Sequence, residues 1–503
     1  MTGFSRVGTG TVRGVEALPV TVECYRGKGL PQAALVGLAR GAVREALVRV
    51  RSAIAASGIT LESSRLVSNL LPAEIPKDAS SIDLALAVAI LGAYGELPAD
   101  AVIGRRFFGE LSLSGRLEPC RGAVLVADLV RQKGEKELFV PRANAQEAAL
   151  VPGIDVYAVE HLSELVAHLR GVSPLRKTVR PSGARRPSRE SVDLADVAGQ
   201  ERAKRALEIA AAGHHNLLLI GPPGSGKTML AHRLPTLMPE LNTDESAELT
   251  RIYSASGMLK GETWIRSRPF RSPHHTSSWT ALCGGGSPLR PGEVTLAHLG
   301  VLFLDELPEF SRRAIETLRE PLESGVVHVA RASERAVFPA RTLMVAAMNP
   351  CPCGFYRGDF RGGVSPRICT CNFQSIARYR ARVSGPVLDR IDMHVVVDAV
   401  RFREMQQATQ GETSASVRAR VAEARRRGRA RGEDSQSAQR LDNESLALLE
   451  DAVDRTGLTA RALGRVRRVA QTIADLEGDE AVGANHLREA LSYRVLDRDA
   501  VAE

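Results

Sequence analysis

The run from Asn216 to Arg233, NLLLIGPPGSGKTMLAHR, leaves the chain little freedom of fold. Its first five residues form a short apolar strand with no polar alternation, the pattern of a strand buried on both faces of a parallel sheet. A glycine-rich turn follows, and then a helix. The glycines let the backbone bend so that its N–H groups converge at the helix start, which makes an anion site. The spacing G-x-x-x-x-G-K-T assigns phosphate contact to Gly221, Pro222, Pro223, Gly224, Ser225, Gly226, Lys227 and Thr228. Lys227 is expected to reach the β and γ phosphates of ATP, and Thr228 to offer its hydroxyl to Mg2+.

Three further apolar runs belong to such a sheet. Val301–Leu304 ends in Asp305 and Glu306, acids at the C-terminal edge of a strand, where α/β sheets carry their chemistry. Asp305 is expected to hold Mg2+, and Glu306 to orient and deprotonate the attacking water. Thr342–Met348 ends in Asn349, either a positioner of the lytic water or a turn former before Pro350. His394–Val397 follows SGPVLDRID, in which Arg390 is either a finger for a neighbouring subunit's site or the partner of Asp389 or Asp392.

With 503 residues, two or three domains are expected. Apolar residues make up 44% and charged residues 25%, an ordinary globular mixture, and the net charge of +9 favours an anionic partner such as nucleic acid. The N-terminal residues lack the pattern of a secretion signal, and the greasiest run, Ile82–Tyr94, is too short to span a bilayer, so a buried helix and a cytoplasmic location are expected. In that compartment clustered cysteines favour metal over cystine. Cys351, Cys353, Cys369 and Cys371, four of the seven cysteines, form two C-x-C pairs suited to one closed tetrahedral Zn2+ site. Reduced free thiols or a redox pair are the alternatives. If zinc binds, it staples the excursion between Asn349 and Arg390.

The stretch 171–191, rich in Pro, Ser, Gly and Arg, reads as a basic flexible linker whose Arg176, Lys177, Arg180, Arg185, Arg186 and Arg189 either contact phosphates or form a solvated hinge. It divides residues 1–170 from an ATPase unit over 192–400. After Val400, apolar positions three and four apart predict a small helical unit over 401–503.

These elements, in this order, resemble the AAA+ ATPase superfamily in its magnesium-chelatase-like branch, and within it the ComM/YifB family of bacterial proteins. The resemblance rests on GPPGSGKT, on Arg268–Phe310, on NPCPCGF and on SGPVLDRIDMHV, and extends over nearly the whole chain. It implies an AAA+ P-loop core of α/β class, a helical C-terminal lid, and an N-terminal Lon-protease-like (S5-type) α+β domain. It further implies that Asn349 is sensor 1, Arg390 the arginine finger and Arg461 sensor 2, in a homo-oligomeric ring, a hexamer by the family pattern. Members of the family resemble motors that drive branch migration of branched or single-stranded DNA during recombination, as when imported DNA is integrated. Two hairpins, near Gly284–Val294 and Val326–Phe338, would face the ring pore, where Arg290, Arg331 and Arg335 are either phosphate contacts or solvated tips. The alternative is a metal-chelatase motor subunit acting on a metal-insertion partner. His274 and His275 read as structural.

The turn Pro76–Ser81 resembles the nucleophile turn of Lon proteases, with Ser81 in the serine position. Val124 stands where the lysine belongs, so the proton acceptor is missing and proteolysis is not expected. A scaffold or DNA-binding collar remains.

Overall fold

The computed structural model describes residues 3–37, 40–75, 77, 81–180, 192–259, 264–286, 289–330, 335–356, 368–399, 411–432 and 441–496. Arg331, the linker residues 181–191 and most of the Pro76–Ser81 turn lie outside them.

The N-terminal part is built on a seven-stranded mixed sheet in the order Gln32–Val36, Arg65–Leu71, Glu16–Gly27, Phe4–Arg13, Arg105–Phe107, Glu137–Pro141, Asp155–Val159. A long hairpin pairs Phe4 with Tyr25 through to Arg13 with Glu16. The expected apolar helix is Asp83–Tyr94, buried almost throughout. Asp83 enters that core because Arg49 holds its carboxylate with two bonds, of 2.8 and 3.2 Å.

The first half of the expected linker is not a free hinge. Thr178 N–H donates to Val156 O at 2.8 Å, and Lys177 pairs with Asp155 at 2.6 Å. Asp155–Val159 is an edge strand with unpaired backbone groups, and the chain satisfies some of them as it leaves the sheet.

The second sheet has five parallel strands in the order Phe270–Arg271, Val301–Leu304, Leu343–Met348, Leu217–Ile220, Met393–Val396. The two strands flanking Leu217–Ile220 are remote in sequence, so their ends are brought to the glycine loop by strand order alone. Every residue of Leu217–Ile220, Val301–Leu304 and Leu343–Met348 is buried, as their unbroken apolar character requires.

Helices Ser414–Arg431, Asn443–Thr456, Ala460–Glu477 and Ala484–Ser492 follow the predicted periodicity. They do not fold apart: Val417, Val421, Val466, Ile473 and Leu487 share one core with Leu217, Leu219 and Val345 of the sheet. The expected hairpins are present as Gly284–Gly285 with Arg290–Pro291 and Val326–Ala330 with Arg335–Pro339. The N-terminal part leans on the second sheet's elements. Arg251 of the helix Thr243–Ser256 pairs with Asp128 at 2.7 Å, and Gly122 N–H donates to Ser254 O at 3.0 Å.

Candidate nucleotide site and cysteine knuckle

The strand Leu217–Ile220 delivers the chain into the glycine loop, and the helix Lys227–Leu237 leaves it. Gly221 admits no side chain, because a Cβ there would stand 2.2 Å from Val397 O and 2.8 Å from Ser225 Oγ. Gly226, with φ of +91°, sets the turn into the helix. Lys227 Nζ donates to Gly221 O at 2.8 Å, Pro222 O at 2.9 Å and Asn349 Oδ1 at 3.2 Å. Burial lowers the lysine's pKa, opposed by the charges of Asp305 and Glu306. Ser225 Oγ is buried without a hydrogen-bond partner, a donor left over inside the loop. This glycine loop at a helix start, with a leftover hydroxyl and an ammonium beside it, fits a polyphosphate.

Thr228 Oγ1 donates to Asp305 Oδ2 at 2.9 Å, so the two expected Mg2+ ligands, one at a helix start and one at a strand end, already meet. Glu306 sits in the left-handed region at φ of +53°, unusual for a side-chain-bearing residue, and its side chain is 57% exposed. Its N–H donates to Asp305 Oδ1 at 2.9 Å. Lys227, Thr228, Asp305, Glu306 and Asn349 therefore occupy one edge of the sheet.

A residue read as structural also arrives there. His275 Nδ1 stands 3.3 Å from Glu306 Oε2, with the His274 ring centroid 4.1 Å from its own and the two rings tilted by 34°. Register was the available signal. Arg271 pairs with Leu302 in parallel strands, and His275 and Glu306 each lie four residues further on.

Arg390 is placed differently from an exposed finger. Only 6% exposed, it donates through Nη1 to Pro386 O at 2.6 Å and through Nε to Arg319 O at 3.2 Å, and it pairs with Glu323. Neither expected aspartate is its partner. Asp392 instead accepts from Asn216 N at 2.9 Å and faces Arg465 at 3.6 Å and Arg468 at 3.4 Å. Arg461 is exposed at the start of its helix. The Glu323 carboxyl is held below its usual range by the Arg390 hydrogen bond first, with the charges of Arg461 and Arg319 adding to it. Arg390 and Arg461 thus lie on one side of the molecule, around Glu323.

Cys351 and Cys353 Sγ are 3.3 Å apart, Cys351 and Cys369 3.8 Å, Cys353 and Cys369 3.5 Å, and all four sulfurs, that of Cys371 included, lie within 4.8 Å of one another. Tetrahedral Zn–S bonds of about 2.3 Å require sulfurs about 3.8 Å apart, so the set fits Zn2+. Backbone N–H groups of Tyr356 and Cys371 donate to Cys351 and Cys369 Sγ at 3.3 and 3.4 Å, the usual support for thiolate ligands. Residues 357–367 between the pairs lie outside the described residues.

Arg290 and Arg335 are exposed on their hairpins. In the N-terminal part Ser81 and Val124 are both buried, and Lys77 is spent on the carbonyls of Pro72, Ile75 and Gly37. Among the described residues no helix is long and apolar enough to cross a membrane.

Comparison with known proteins gives the chain a family. Residues 193–405 match the family described as magnesium chelatase, subunit ChlI; residues 22–144 match subunit ChlI of Mg-chelatase; and residues 411–494 match the ChlI C-terminal family. The chain is 41% identical to the uncharacterized protein YifB of Escherichia coli, covering 98% of each chain. It is 42% identical to competence protein ComM of Haemophilus influenzae, covering 96% of each. The magnesium-chelatase 38 kDa subunit of Rhodobacter capsulatus is 24% identical over 65% of this chain and 93% of its own length. A segment of 97 residues is 32% identical to part of Lon protease 2 of Bacillus subtilis. The chain belongs to the ComM/YifB family of magnesium-chelatase-like AAA+ ATPases.

Proposed function

We propose that this protein is a cytoplasmic, ring-forming motor, hexameric in its working form, that uses ATP and Mg2+ to drive branch migration or unwinding of recombination intermediates. The observation that carries the reading is the meeting of Lys227, Thr228, Asp305, Glu306 and Asn349 at one sheet edge in a chain that also presents Arg290 and Arg335 on two exposed hairpins. The likeness to a competence protein supports DNA as the partner. In this reading the glycine loop and Lys227 bind the phosphates, and Glu306 takes the proton from water positioned by Asn349. Thr228 and Asp305 hold Mg2+, which neutralises phosphate charge. Arg390 and Arg461 complete the neighbouring subunit's site. The two arginine hairpins touch the DNA backbone without reading sequence. Residues 1–170 act as an inactive Lon-type scaffold, 171–191 join them to the ATPase unit 192–400, 401–503 form the lid, and the four cysteines hold a structural Zn2+.

The test is ATP turnover by the purified chain with and without branched DNA at low salt, together with strand exchange on a three-strand substrate. DNA is expected to stimulate turnover. Glu306→Gln is expected to lose about 10²-fold or more in turnover and all branch migration while still binding ATP. Absence of both DNA binding and stimulation at low salt overturns the reading. The chelatase-motor alternative is favoured by the descriptions of the matching families. It would instead show turnover stimulated by a metal-insertion partner and indifferent to DNA.

A further inference from the structure

We propose that the cysteine knuckle is a wall of the nucleotide pocket, so that the Zn2+ it takes sets the affinity for ATP. This rests on the zinc reading above and adds a consequence that the spacing of the cysteines did not contain. From sequence the knuckle staples the loop that leads to Arg390; in the fold it rests against the phosphate-binding loop.

Two contacts join them. Gly354 closes the turn that begins at Cys351, with its N–H donating to Cys351 O at 3.0 Å and φ at +86°. A Cβ at Gly354 would lie 2.5 Å from Pro223 Cδ and 2.9 Å from Cγ, so the turn is seated directly on the second proline of GPPGSGKT. At the other end Asn349, two residues before Cys351, accepts the bond from Lys227. The knuckle therefore grips the loop at one steric point and one polar point, and Cys351 stands between them with no exposure.

The turn is also tied to what lies behind it. Tyr356 N–H donates to Cys351 Sγ, the Arg380 guanidinium lies 5.4 Å from the Tyr356 ring, and Arg380 donates to Pro350 O at 3.4 Å. Across the knuckle, however, the Cys369–Cys371 arm meets the Cys351–Cys353 arm sulfur to sulfur. A thiophilic divalent cation makes that junction rigid, because four metal–sulfur bonds fix all four side chains at once. Without the cation, sulfurs at these distances are held by weak contacts alone, and the turn behind Pro223 loses its backing. A loop that must then be ordered by the nucleotide binds it more weakly.

The experiment uses the full chain. Zinc is measured by elemental analysis, melting by circular dichroism, and affinity by a fluorescent ATP analogue in Mg2+, before and after zinc extraction and after Zn2+ is returned. One zinc per chain is expected, with affinity falling about tenfold on extraction and recovering on return. Gly354→Ala, which leaves every cysteine in place, is expected to keep its zinc and lose about tenfold in affinity. Should that variant not fold, Pro223→Ala, which removes the ring atoms facing Gly354, is expected to keep zinc and lose affinity likewise. Wild-type affinity in the zinc-free chain, or in a folded, zinc-replete Gly354→Ala or Pro223→Ala chain, overturns the coupling. Protein that neither carries nor takes up zinc overturns the zinc reading itself, and with it this proposal, while leaving the motor reading intact.

Discussion

Glu306 illustrates how much of a site a single residue can carry and still depend on its neighbour. Its proposed role as the base follows from the acid pair after an apolar strand, but its neighbour His275, 3.3 Å away, comes from the adjacent strand's extension and gave no local sign. A base tied to a histidine must be untied to work, and an exposed pair of this type is worth up to about 1 kcal/mol. His275→Ala is therefore expected to raise DNA-free turnover by up to about fivefold with ATP affinity unchanged, narrowing the gain produced by DNA. Steady-state kinetics with and without DNA measure it; an unchanged or lower DNA-free rate would show that His275 supports Glu306 rather than restraining it. Arg390 makes the complementary point. The sequence offered a finger or an aspartate pair, and the fold supplied Glu323 and two carbonyls as partners.

At the scale of elements, the strands were legible because unbroken apolar runs bounded by glycine or acid mean buried parallel strands. The C-terminal helices were legible from their periodicity. Their docking was not, since a helix's apolar stripe does not name the surface that covers it. Two buried histidines record that docking. His215, bonded to Thr472 Oγ1 at 2.8 Å, is depressed to about 4 by burial, and His394, on the strand Met393–Val396 beside Arg494, is depressed well below its ordinary value for the same reason. Folded values below the unfolded ones mean that the unfolded chain binds these protons first. Stability is then full above about pH 6.5 and falls as pH drops from 6.5 toward 4, by about 3 kcal/mol for His215. Thermal melts across that range should show the loss, and His215→Gln should reduce it, leaving the part due to His394; a melting temperature indifferent to pH below 6.5 contradicts the assignment. In the hairpin Val326–Pro339, Phe338 is fully buried, and Ala336 and Phe338 face Gly14, in the turn between the strands Phe4–Arg13 and Glu16–Gly27. Phe338→Ala is expected to cost about 3–5 kcal/mol in denaturant unfolding. A cost below 1 kcal/mol would show that this seam is not part of the folded core.

For the whole molecule, Arg390 and Arg461 gather around Glu323 while Lys227 and Glu306 occupy the sheet edge, an arrangement suited to sites shared between copies. Mixing tests it. Glu306→Gln and Arg390→Ala chains, each inactive alone, should recover measurable turnover when combined, because one interface in the mixed ring pairs an intact Glu306 with an intact Arg390. Absence of any recovery, with mixed assemblies verified by size, would place Arg390 in a structural role at Glu323. The sequence alone picked out the glycine loop, the acid pair and the two C-x-C pairs, because each is a matter of residue types at short, fixed spacing, whereas the missing proton acceptor at Val124 came from the resemblance to Lon proteases. Tertiary structure decided what those parts touch: His275 against Glu306, Arg390 against Glu323, the knuckle against Pro223. Such contacts depend on strand order and on crossovers of dozens of residues, and no local spacing encodes where those crossovers return.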